Sequence, residues 1–137
     1  MHRVRSGDRG AVTLEAVLIF PAALALIMAA LSAALWLYAR DIALSAARQG
    51  LADARDAGAS PASGGPAAVT FARRTGGAFL GGASAVVTVT GSTTVGGTVT
   101  ITVTGHALSL IPWWHPAVTQ AAQAPLEVFS TPQDGAS

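Results

Sequence analysis

The hydrophobic pattern divides the chain sharply. Residues 16–39 carry no charge, and Ser32 is the only aliphatic hydroxyl among them. About 24 residues at ~1.5 Å each give roughly 36 Å, enough to cross a hydrocarbon layer of about 30 Å with some tilt. A core helix of a soluble protein would have to be wrapped by the rest of the chain, which is too poor in apolar bulk to do so. A removable signal peptide could be cut near Ala29 or Ala33, but its apolar region would be shorter than this one. The pattern therefore predicts a membrane span. Trp36 and Tyr38 sit at its far end, where amphipathic rings suit the interface, and Arg40 and Asp41 end it.

Beyond the span the period stays helical through residues 40–57, with Ala43, Ala46, Ala47, Leu51 and Ala54 on one face. Residues 58–66 (GASPASGGP) form a breaker cluster that ends the helix. A short second helix is predicted over residues 67–80, since Pro66 suits a helix start, although Gly76 and Gly77 weaken its second half. The period then changes to two. Val87 and Val89 alternate with Thr88 and Thr90, and Val99, Ile101 and Val103 alternate with Thr98, Thr100, Thr102 and Thr104. With Gly91, Gly96 and Gly97 between them, these runs read as an antiparallel hairpin with one buried and one wet face. A hairpin alone is marginal in water, so a third strand over residues 118–124 and a packed helix are predicted to complete it, with Pro125 at an edge.

Composition narrows the chemistry. The eight basic residues, all arginine, against seven carboxylates leave a net charge of +1, with no electrostatic footprint for nucleic acid or for an acidic substrate. The absence of cysteine removes disulfides, thiolate metal sites and a cysteine nucleophile. No serine–histidine–acid set, paired carboxylates or phosphate-binding glycine loop is present, so no catalytic, cofactor or metal residues are assigned. His106 and His115 read as surface histidines, because no carboxylate or third ligand is spaced to join them. Glu127 reads as structural at a strand end.

Glu15 stands beside the apolar run, where a carboxylate is costly. Gly10 lies five residues before it. On the residues alone, Gly10 can be an ordinary loop glycine and Glu15 a helix-start carboxylate that complements the macrodipole. However, RGAVTLE followed by an apolar span containing Pro21 resembles a type IV prepilin processing site. That resemblance implies cleavage by a membrane peptidase between Gly10 and Ala11, and pairing of Glu15 with the new amine of Ala11. Such a pair sets register even where its net stabilisation is small. Pro21 would kink the helix or be a harmless membrane proline. Ala22, Ala25, Ala29, Ala30, Ala33 and Ala34 allow close helix approach.

The resemblance extends along the chain. GAVTLEAVLIFP at residues 10–21, the alanine-rich run through Ala46, Ala47, Arg48, Gln49 and Gly50, and the stretch 99–129, with VTITVTGHALSLIP and APLEVF, are similar in order to the TadE-like family of the tight-adherence (Flp) pilus system. The chain departs from it at Ala16, where an aromatic residue often follows the glutamate. Membership implies a minor pilin or pseudopilin in pilus assembly or secretion. Its partners would be the membrane, pilin-like subunits, the assembly machinery and a prepilin peptidase, in a homo- or hetero-oligomer. It also implies a cytoplasmic N-terminus and an extracytoplasmic domain, an orientation that arginines on both sides of the span leave open.

The most apolar stretch outside the span is residues 108–114 (LSLIPWW). It reads either as a loop folded over the sheet to close a small core, or as an exposed contact with a partner or the membrane surface through Leu110, Ile111, Trp113 and Trp114. The expected fold is α+β: a long N-terminal transmembrane helix continuing into a small domain with a short helix and a three-stranded antiparallel sheet. The expected divisions are a basic leader at 1–10, the helix and its extension at 11–57, a linker at 58–66, the domain at 67–129 and a tail at 130–137. The competing functional class is a bitopic envelope protein whose domain binds a ligand or surface without entering a pilus.

Overall fold

A computed structural model of the chain describes residues 8–56, 60–91 and 96–126. Helix α1, Asp8–Arg55, is followed by a 3-10 turn, Pro61–Ser63, helix α2, Gly64–Gly76, and strands β1, Leu80–Thr90, β2, Thr98–Ala107, and β3, Ala117–Pro125. The strands form one antiparallel sheet in the order β1-β2-β3. The α+β architecture and the third strand read from the sequence are both present.

At 48 residues, α1 is about 72 Å long and has two halves with different surroundings. Every residue from Glu15 to Leu31 is exposed. Along the second half Ala39, Ile42, Ala43, Ala46, Ala47 and Ala54 are buried, a spacing of three and four that turns one face to the sheet. Leu51, expected on that face, is partly buried at its margin. The helical extension is thus the spine of the domain core.

Three boundaries differ from expectation. Asp8, Arg9 and Gly10 are helical rather than part of a flexible leader, because one glycine costs a helix only about 1 kcal/mol and a long apolar helix propagates past it. The rest of the leader, Glu127 and the tail at 130–137 lie outside the described residues. Helix α2 starts at Gly64, three residues before the expected position, because Ser60 caps the preceding turn: its hydroxyl accepts from the Ala62 amide at 3.3 Å and Pro61 stands at the first helical position. It also stops at Gly76, where Gly77 takes a φ of 48°, a left-handed turn that releases Leu80 to begin β1.

The two helices cover one face of the sheet. On β2, Val99, Ile101 and Val103 are fully buried. Ile101 pairs with Val87 on one side and Ala122 on the other, and Val99 with Val89 and Ala124. The threonines of the opposite face remain partly exposed. A register shift between Gly81 and Ser84, with Gly82 at φ 63°, puts a bulge near the start of β1, so that Leu80 and Ala83 both reach the core despite their odd spacing.

Candidate functional site

Two regions carry the residues singled out by sequence. The first is the bare half of α1. Glu15, Ala16, Ile19, Phe20 and Ala23 line a shallow, almost wholly apolar groove along one helix face, with Glu15 as its acidic end. The helix runs unbroken through Pro21. Val17, Leu18, Ile19, Phe20, Leu24, Leu26 and Ile27 are all exposed large apolar side chains. Among the described residues nothing in the domain covers them, which counts against the soluble-core reading of this run, and the helix is long and apolar enough to cross a membrane. Gly10 and Ala11 lie in the first turns of this helix.

The second region is the end of the domain that α1 enters first. Chain direction determines what meets there. Helix α2 runs back along α1: a β-carbon placed on Gly64 would stand 2.9 Å from Ala54 Cβ, and one placed on Gly76 would stand 3.2 Å from Ile42 Cγ2. The start of β1, the end of β2 and the start of β3 therefore share the end nearest the bare helix. The residue between α2 and β1 is Phe79, whose ring meets Tyr38 of α1 edge-on at 5.4 Å between centroids. The connection from β2 to β3 is the LSLIPWW loop, tied at its base by three bonds. The Ala107 amide donates to the Pro116 carbonyl at 2.9 Å, the Leu108 amide donates to the Phe79 carbonyl at 3.2 Å, and Trp36 Nε1 donates to the Ala117 carbonyl at 3.3 Å. Arg40 lies over the same Trp36 ring at 5.0 Å.

Within the loop, the Ile111 amide donates to Ser109 Oγ at 3.1 Å and the Trp114 amide to the Ile111 carbonyl at 3.1 Å. Pro112 then occupies the second position of a β-turn, where its fixed φ fits. The loop is ordered by its own hydrogen bonds but does not close the core. Trp113 is 85% exposed, and Leu108, Leu110 and Trp114 are each at least 39% exposed, while only Ile111 among the four named contact residues is partly covered. The stretch is therefore exposed rather than folded over the sheet.

Phe79, which the hydrophobic pattern does not single out, belongs with this apolar end beside Tyr38 and Leu108. The signal was available: residues just before β1 and just after β2 in an antiparallel hairpin must be neighbours. Ser32, the lone aliphatic hydroxyl of the uncharged run, is 1% exposed with a hydroxyl that finds no partner among the described residues. Among the described residues no three His, Asp or Glu side chains group as metal ligands, and His106 and His115 are exposed.

No curated protein and no solved structure gives a significant match to the chain. A family model described as TadE-like protein matches residues 10–51, a stretch lying wholly within α1, from the glycine before the apolar run to the second residue after Arg48 and Gln49. Over that stretch, which takes in both the bare part of α1 and most of the spine of the domain, the chain is similar to the TadE-like family.

Proposed function

We propose that the chain is a minor pilin or pseudopilin of a tight-adherence pilus system, a structural subunit that acts by assembly rather than by catalysis. The observation that carries this reading is the division of α1. One continuous helix leaves residues 15–31 bare and builds its C-terminal half into a small sheet domain, and the family match lies within that same helix. A bare apolar helix serves first as a membrane span and then as a surface that packs against other such helices. The N-terminus would be cytoplasmic and the domain outside.

In this reading a prepilin peptidase cuts between Gly10 and Ala11, and Glu15 meets the ammonium so created, on its own chain or a neighbour's. The groove from Glu15 to Ala23 would be where a neighbouring helix lies. N-terminal sequencing and intact mass of the protein from its own cells test the first step: a chain beginning at Ala11 supports the reading, and a chain that still begins at Met1 counts against it. Glu15→Ala tests the second. Membrane insertion should be retained while co-purification with pilin-like partners is lost, and unaffected assembly would reject the pairing.

A further inference from the structure

We propose that the β2–β3 loop, residues 108–116, together with Phe79, enters the bilayer surface beside the point where α1 leaves it. The domain would then sit partly sunk in lipid rather than being raised clear of it on the helix. This rests on α1 spanning a membrane.

The first observation is Ser32. On an isolated helix no side chain is 1% exposed, and the preceding Leu31 is 47% exposed, so another part of the chain lies against that turn. Chain direction leaves the loop end of the domain as what can reach it, since Trp36, one turn further on, is bonded to Ala117 at the loop's base. Yet Ser32 lies inside the uncharged run of residues 16–39. The uncovered part of α1, Glu15 to Leu31, is about 25 Å long, a few ångströms short of a hydrocarbon layer of about 30 Å. If Glu15 marks one boundary, the opposite boundary falls beyond Ser32, at a depth the domain already occupies.

The second observation is what the domain presents there. Trp113, Trp114, Leu108, Leu110 and Phe79 are all exposed, contiguous through the loop and the Leu108–Phe79 bond. Tryptophan favours the headgroup level, where one side of the ring is apolar and the indole N–H can be solvated. Arg73 and Arg74, exposed in the last turn of α2, stand at the same end and suit anionic headgroups, with Asp41 as the opposing charge. A loop held by its own turn and three bonds at its base can present this surface without first becoming ordered.

The chain contains no cysteine, so single substitutions give unique spin-label sites. His115→Cys reports on the loop without removing its apolar residues, Ile27→Cys on the span, and Ala62→Cys on the far end of the domain. Each is reconstituted at one chain per nanodisc of phosphatidylcholine and phosphatidylglycerol, and collisions with oxygen and with a nickel chelate are compared. The expected result is oxygen-dominated relaxation at 27, nickel-dominated at 62, and at 115 a loss of nickel access that is restored by Trp113→Ser with Trp114→Ser. A label at 115 that behaves like the one at 62, with 27 still in lipid, overturns the proposal and leaves the span intact. Nickel access at 27 removes the span and the proposal with it. Shielding at 115 that appears only with several chains per disc assigns the loop to a second copy and overturns lipid as its occupant.

Discussion

Gly50 of α1 and Gly64 of α2 each occupy the space that a side chain on the other would need. A β-carbon on Gly50 would collide with the Gly64 carbonyl oxygen, and one on Gly64 would stand 2.5 Å from the Gly50 oxygen and 2.5 Å from Ile101 Cδ1. Both obstacles on the glycine side are backbone, which cannot rotate away. Helix propensity favours alanine over glycine by about 1 kcal/mol, whereas overpacking of this kind costs about 1–3 kcal/mol. Gly50→Ala and Gly64→Ala should therefore lower stability in denaturant titration of the detergent-solubilised chain. Gly65→Ala is the control, since its β-carbon would meet only Val87 Cγ2 at 3.2 Å, and it should be near neutral.

Ile101 is where the two helices and the sheet converge: it is fully buried and lies against both of those glycines. Truncation leaves a cavity bounded by backbone that cannot collapse into it. Ile101→Ala should cost about 2–5 kcal/mol. Val86→Ala, on the outer face of β1 at 60% exposure, should cost well under 1 kcal/mol. Chemical denaturation of both variants, read by circular dichroism, checks the difference.

Those positions also show what a sequence can and cannot disclose. The alternation at Val99, Ile101 and Val103 named the buried face of β2 because a strand with one wet face has to alternate, and the alanine spacing at Ala43, Ala46 and Ala47 named the buried face of α1 for the corresponding helical reason. The Gly50–Gly64 contact was invisible, since glycine reads locally as a breaker and a close approach between two helices is a property of their packing. Residues 58–66 read as linker for the same reason, although Ser60 and Pro61 carry the capping signal that starts the helical segment at Pro61. The LSLIPWW stretch was recognised as apolar but its exposure was undecided, because apolarity is equally consistent with burial and with a binding surface. Phe79 was missed because its role depends on the company that the sheet topology gives it.

The Trp36–Ala117 bond joins the helix to the base of the apolar loop, and Arg40 stacks on the same indole. Trp36→Phe keeps the ring and removes the donor, at a cost of about 0.5–1.5 kcal/mol, with a smaller loss from the weaker cation–π contact. The loosening should be local. Hydrogen exchange should quicken at the Ala107 and Trp114 amides, which close the loop, while the amides of Val99 and Ile101 in the centre of the sheet keep their protection. A uniform change across the sheet would instead mean that Trp36 supports the whole fold.

Ser32 makes the most discriminating substitution in α1. Its hydroxyl is buried without a partner, a condition that costs about 1–3 kcal/mol, and serine is also a poorer helix former than alanine. Ser32→Ala removes the oxygen without adding volume and should raise the unfolding midpoint of the chain in detergent. Ser32→Leu has to displace whatever covers that turn, and should both lower stability and increase exchange in residues 107–118. If Ser32→Ala were destabilising, the hydroxyl would have a partner, and a hydrogen bond rather than apolar packing would hold the domain against the helix. Because Ser32 is already covered, its hydroxyl cannot be what a neighbouring subunit's helix binds. On the proposed assembly reading, contacts between subunits along α1 would then fall on the bare stretch below it, from Glu15 to Leu31.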